Sequence, residues 1–140
     1  MLANRSMPRS TVIPELAYPD LATAAAWLGQ AFGFTVRVRI GGHRIQMNVG
    51  DGAVVLIESA AAVPKGAFAG THSVMVRVEN VDAHYERSRH QGTTILRTPE
   101  TYPYGERQYT AEDLVGRRWT FSESITDVDP VIWGGEPGEL

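Results

Sequence analysis

The 140-residue chain has no cysteine, which removes disulfide bonds, thiolate metal ligands and a cysteine nucleophile together. That composition fits a reducing compartment, and a cytoplasmic location is expected. Long apolar runs are also missing. None exceeds five residues, as at Ala53 to Ile57, against the roughly 20 that a membrane helix needs. Met1 to Pro8 carries an arginine but no apolar stretch behind it, so no signal peptide is read there. Neither sign of charge predominates, with 13 Lys and Arg against 16 Asp and Glu. A net charge of −3 provides no basic field for nucleic acid or an acidic membrane surface, and neither is expected as a partner. The chain has no His-Glu-x-x-His, no Gly-x-Ser-x-Gly elbow and no phosphate-binding glycine loop.

What is present is an ordinary globular balance, 43% hydrophobic and 21% charged, in a length that suits one domain. The spacing predicts a flexible segment over 1–9, a domain over 10–124 and a tail over 125–140. Within the domain, residues 10–18 read as a strand that Pro19 stops, and Asp20 offers a helix N-cap. Ala24, Trp27, Leu28 and Ala31 recur at helical spacing over 21–32, and Gly33 suits the left-handed position that ends a helix. Period-two alternation then predicts strands over 34–40, 43–49 and 53–59, with Gly41-Gly42 and Gly50-Asp51-Gly52 as turns.

After a linker over 60–70 the order repeats. A strand is predicted over 73–78, and a helix runs from its cap at Asn80 through Gln91. Strands follow over 93–97, 107–112 and 118–124, with a turn-rich loop over 99–106. The helix-ending glycines 33 and 92 lie 59 positions apart and the turn glycines 52 and 116 lie 64 apart, so one β-α-β-β-β unit is written twice with a period near sixty.

Three stretches carry a family resemblance. Ile13 to Asp20 is similar to a first strand and helix entry, Ala31-Phe32-Gly33-Phe34 to a shortened helix end, and Tyr104 to Tyr109 with Asp113 to Phe121 to a closing hairpin of the form D-P-x-G-x-x-W-x-F. The chain resembles the vicinal oxygen chelate superfamily, which includes glyoxalases, bleomycin resistance proteins and extradiol dioxygenases. The resemblance implies an α+β fold of two βαβββ modules that form a cleft or partial barrel, a small molecule held between the modules, and a homodimer.

In metal-binding members four His, Gln or Glu side chains converge from the first and last strands of each module. Counting from the caps and turn glycines carries those places onto Ile13, Leu56, Ser73 and Thr120. Isoleucine and leucine have no donor and neutral hydroxyls are poor ones, so no metal or other cofactor is expected. His72, next to Ser73, is read as a strand-start residue near the surface. His84 and His90 are read as solvated. Trp27, Trp119 and Phe121 are assigned to the core.

The same alternation predicts which side chains face the cleft. Glu15, Arg37, Arg39, Gln46, Val54, Leu56 and Glu58 come from the first module. Ser73, Met75, Arg77, Gln108, Thr110, Arg118 and Thr120 come from the second. Tyr102, Tyr104 and Phe68 fall on loops that could rim it, and Trp133 in the tail is expected to dock. From this set Glu15, Arg37, Gln46, Leu56, Ser73, Met75, Arg77, Tyr104, Thr110 and Thr120 are the candidate ligand-binding residues. A concave surface mixing polar groups and apolar patches suits a small-molecule site. Two functions follow from the resemblance: a metal-free binder that sequesters an antibiotic or other natural product, and an enzyme. The enzyme would be a lyase, isomerase or dioxygenase with displaced ligands such as His72, Glu15 and Glu58, or with Glu15 as a general base.

Overall fold

The structure is a computed structural model that describes residues 1–59, 64, 67 and 70–138. Phe68 and most of the predicted linker lie outside the described residues. Strand β1 (Glu15–Tyr18) leads into helix α1 (Leu21–Phe32), and β2 (Thr35–Ile40), β3 (Arg44–Val49) and β4 (Gly52–Glu58) complete the first module. The second repeats it with β5 (Val74–Arg77), α2 (Val81–His90), β6 (Thr94–Thr101), β7 (Glu106–Glu112) and β8 (Arg118–Ser124). Each module is one four-stranded sheet, ordered β1-β4-β3-β2 and β5-β8-β7-β6. The first strand of each runs parallel to the last, and the other pairs are antiparallel. The α+β fold of two βαβββ modules is therefore as expected, and the sheets do not close into a barrel.

Local chemistry explains the helix ends. The Asp20 carboxylate accepts from Thr23 N at 3.0 Å and Asn80 Oδ1 from Ala83 N at 3.0 Å, each satisfying a first-turn donor. Gly33 ends α1 at φ 81°, and a Cβ there would also come within 3.0 Å of the Arg87 guanidinium. That guanidinium donates to Gly29 O at 2.8 Å and, through Nε, to Gln30 O at 3.0 Å, so a cation from α2 sits on the negative end of α1.

One face of each sheet packs beneath its helix. Leu16, Tyr18, Ile45, Met47, Val54 and Leu56 join α1, while Tyr109, Ala111, Trp119 and Phe121 join α2, in a single core cluster that spans both modules. Phe32 ties the halves, with its ring 5.8 Å from Trp119 and 4.8 Å from Phe121. A second tie is polar. Buried Asp113, in the β7–β8 turn, accepts from the Tyr18 hydroxyl at 2.6 Å and from Trp119 Nε1 at 3.0 Å, and Arg117 lies over the Tyr18 ring.

The structure corrects several expectations. His84 is not solvated: Nε2 bonds Phe32 O at 2.9 Å, Nδ1 meets the Tyr109 hydroxyl, and the ring lies 4.1 Å from that of Phe121. The carbonyl fixes the tautomer, because only an N–H can donate to it. Burial lowers the His84 pKa, with the nearby Arg87 charge adding to the effect and the Phe32 bond opposing it. Strand β6 runs on to Thr101 where a loop was expected, since Pro99 is tolerated on the edge strand of the sheet. Trp27 is only partly buried, packed edge-on against Phe32 at 5.1 Å.

Candidate functional site

The faces turned away from the helices carry the polar side chains. Pairing register identifies them: Glu15, Val55 and Gln46 lie in one row across the first sheet, and Met75, Thr120, Thr110 and Arg97 in one row across the second. Four cleft assignments in the first module fail here: Val54, Leu56, Arg39 and Glu58. Leu56 pairs with Leu16 and is wholly buried in the core, as is Val54, because the first hairpin turns in two residues and the second in five. Counting from the turn glycines therefore misses by one in the first module, and a slip of one reverses a strand's faces. An irregularity between Val36 and Val38 resets the alternation, so Arg39 pairs with Ile45 on the helix side. Glu58 pairs with Tyr18 and lines a surface cavity beside Arg39, also away from the cleft face.

The first sheet's concave face is already engaged. Gln46 is buried; its carbonyl accepts from the Arg37 guanidinium and its amide donates to Ser6 O at 2.8 Å. Arg37 also donates to Arg5 O at 2.9 Å, and Pro8 is buried, so the N-terminal residues pass over this face. Glu15 pairs with Arg44 at 3.5 Å, and more than half of its side chain is exposed.

The second sheet's concave face is open. Ser73, Thr110 and Thr120 line a cavity of about 660 Å³ with His72, Leu96, Arg97 and Arg118. That volume lies within the usual range for small-molecule sites, about 300–1,000 Å³. Thr110 and Thr120 share a hydrogen bond at 3.2 Å. Further along the face a chain of bonds runs from Tyr104 OH to Gln108 Oε1 (3.3 Å), from Gln108 Nε2 to Ser122 Oγ (3.0 Å) and from Ser122 Oγ to Glu106 (2.7 Å).

Aromatic rings stand beside Arg97 but outside the lining of that cavity, and Tyr104 borders a separate one with Glu106 and Ile125. Tyr102 and Tyr104 stack at 5.4 Å with planes 8° apart, and Trp133, brought back by the short 3-10 helix Pro130–Trp133, lies 5.2 Å from Tyr104. Burial pushes the Tyr104 hydroxyl above its ordinary pKa, with Tyr102 and Glu106 adding to the shift, so it stays a neutral donor. Arg97 bonds the Tyr102 hydroxyl at 3.1 Å, and that bond raises the guanidinium pKa further.

Of the ten candidate residues, the structure brings Ser73, Thr110 and Thr120 into one cavity and sets Tyr104 beside the same sheet, outside that lining. Met75, 64% exposed, and Arg77 line a separate groove of about 270 Å³ between the modules, with Val12, Pro14 and Val54. Glu15, Arg37 and Gln46 lie on the first sheet, and Leu56 faces neither. Sequence reasoning missed Arg97. Its signal was the register opposite Thr110, hidden by the irregularity between Ile95 and Arg97.

With the register corrected, the four places implied for metal ligands hold Ile13, Val55, Ser73 and Thr120. Two alkyl groups and two neutral hydroxyls do not fit a divalent cation. Among the described residues no three His, Asp or Glu side chains form a metal-binding group, and Glu15, Glu58 and His72 lie apart. No helix of the described residues is long and apolar enough to cross a membrane.

Residues 11–121 match the model of the Glyoxalase/Bleomycin resistance protein/Dioxygenase superfamily. TioX from Micromonospora sp. ML1 is 33% identical over 86% of this chain and all of its own, with a TM-score of 0.69. A glyoxalase/bleomycin resistance protein/dioxygenase from Alicyclobacillus acidocaldarius shares 12% identity over 86% of this chain and 95% of its own, at a TM-score of 0.68. A lactoylglutathione lyase from Agrobacterium tumefaciens shares 16% over 91% and 98%, at 0.61. No curated protein matches the chain.

Proposed function

Because the chain belongs to the Glyoxalase/Bleomycin resistance protein/Dioxygenase superfamily, we propose that it is a metal-independent member that binds a small molecule on the concave face of its second module. The observation that carries this reading is the side-chain set at the four ligand places, Ile13, Val55, Ser73 and Thr120. A Lewis-acid mechanism needs lone-pair donors there. The open cavity of about 660 Å³, lined by hydroxyls, guanidinium groups and Leu96, supports binding by shape and hydrogen bonds instead. The resemblance to bleomycin resistance proteins makes sequestration of an antibiotic or other natural product the role that fits.

The protein works as a homodimer in this reading. Exposed Met75 on the second sheet and Val131 and Ile132 in the tail supply apolar surface for a partner copy.

The enzyme alternative draws less support. Glu15 is more than half exposed and paired with Arg44, the opposite of a desolvated general base. Elemental analysis after dialysis against zinc, manganese and iron, with a thermal-shift screen of planar natural products, tests the proposal. A raised melting temperature without metal and with the compound recovered unchanged is expected. A stoichiometric metal that switches on turnover of a hydroxyacid, thioester or catechol would refute it.

A further inference from the structure

The open cavity is cationic. Register places Arg97, Thr110 and Thr120 in one row across β6, β7 and β8, and Arg118 stands two residues before Thr120 on the same face. Two guanidinium groups therefore flank a pair of hydroxyls. No carboxylate of the described residues lines the cavity. Glu112, the cross-strand neighbour of Arg118, borders a different cavity with Trp27 and Leu114, and no ion pair joins the two. Glu100 meets the Tyr102 hydroxyl at 3.4 Å and does not line the site.

Arg118 is the informative group. Its Nε is buried without a hydrogen-bond partner, and no ion pair of the described residues involves its guanidinium. A guanidinium with no carboxylate partner gains from an anion, and Arg118 lines the cavity that such an acceptor would enter. Arginine's planar fork matches a carboxylate by two parallel bonds. Arg97 supplies a second cation, and its bond to Tyr102 connects the charged floor to the stacked tyrosines beside the cavity. A flat ring stacks on such a pair.

We propose that this cavity takes a planar aromatic ligand by its carboxylate, held by Arg118 and Arg97 with Thr110 and Thr120 as neutral partners. The inference rests on the binding-protein reading and narrows it to one ligand class.

The test uses 2-naphthoate and its neutral isostere 2-naphthamide, with binding measured by calorimetry on the intact protein. Naphthoate should bind roughly tenfold or more tightly than the amide, the ratio expected of a hydrogen-bonded charge. Arg118→Gln should abolish that preference and Arg97→Gln reduce it, while Arg89→Gln, an equal charge change on the exposed face of α2, should leave it intact. Arg118→Lys, which keeps the charge without the fork, should give an intermediate ratio and guards against misfolding of the glutamine variant. Equal binding of acid and amide, failure of both to bind, or a preference surviving Arg118→Gln would each overturn the inference. Inorganic sulfate competing as well as naphthoate would overturn the aromatic part. The natural-product screen is read independently, so a neutral compound that binds there would sink this inference and leave the binding-protein reading standing.

Discussion

Replacing Asp113 with alanine should be the most damaging single change to the joint between the modules. Its carboxylate accepts from the Tyr18 hydroxyl at 2.6 Å, from Trp119 Nε1 at 3.0 Å, and from the backbone N–H of Val115 and Arg117 at 3.0 Å each. The Arg117 guanidinium lies 3.8 Å away, and the two side chains are 3% and 0% exposed. Alanine would strand the Tyr18 and Trp119 donors, at about 1–3 kcal/mol each, and take the Asp113 charge away from the Arg117 guanidinium. These losses overlap because the groups form one network, so the working figure is about 4 kcal/mol. At about 3 °C per kcal/mol for a domain of this size, the melting temperature should fall by about 12 °C. Urea unfolding followed by tryptophan fluorescence gives the free energy, and thermal melts give the temperature. Tyr18→Phe removes one cross-module bond and should lower stability by about 1 kcal/mol alone, but by little in the Asp113→Ala background. A loss below about 1 kcal/mol for Asp113→Ala, or full additivity of the two changes, would refute the claim that this carboxylate organises the joint.

Stability should depend on pH at both ends. Burial holds the His84 pKa below its ordinary 6.5, so the unfolded chain binds more protons than the folded one just below that pH. Stability is then complete above about pH 7 and falls as the pH drops below 6.5, and His84→Gln should flatten that slope in urea titrations. Tyr18 has its pKa raised well above 10.0, chiefly by burial and then by Asp113, and burial raises Tyr109 too. Their unfolded forms lose protons first, so stability should decline above pH 10, as stopped-flow unfolding rates at pH 9 and 11 would register. Gly105→Ala should displace the tail, because φ is 84° and a Cβ would stand 2.1 Å from the Thr126 carbonyl. A loss of more than about 2 kcal/mol with changed Trp133 fluorescence is expected, and a neutral result would count against the packing of the tail on Tyr104.

The fold was legible because its boundaries are written in local chemistry. Asp20 and Asn80 cap helices by their own side chains, and Gly33 ends one in a conformation other residues avoid. Strand alternation in β3, β5 and β8 needs only neighbouring residues to be read. What escaped depends on pairing. The irregularity in β2 turned Arg39 to the helix side, and the unequal hairpins put Leu56 in the core in place of Val55. Neither leaves a mark in one strand taken alone, since each is a relation between two. His84 escaped for a similar reason. The helix carrying it is polar in sequence, and only the docking of α2 against Phe32 and Phe121 brings its imidazole into the core.

The two halves share a topology and differ in what meets their concave faces. In the first, Gln46 and Arg37 spend their hydrogen bonds on each other and on the Arg5 and Ser6 carbonyls, and Arg44 is matched by Glu15. In the second, the hydroxyl row and Arg118 face a cavity with no carboxylate among the described lining residues. A donor group already supplied with acceptors gains little from a ligand, because binding only exchanges one hydrogen bond for another. One without a protein acceptor has more to gain. On the proposed reading, an acceptor-rich molecule is therefore drawn to the second sheet rather than to the first. Releasing the N-terminal segment by deleting residues 1–9 should free Gln46 and Arg37 and lower stability. It should leave naphthoate affinity at the second sheet within about twofold, since none of residues 1–9 lines that cavity. A larger loss would mean that the two faces act as one site.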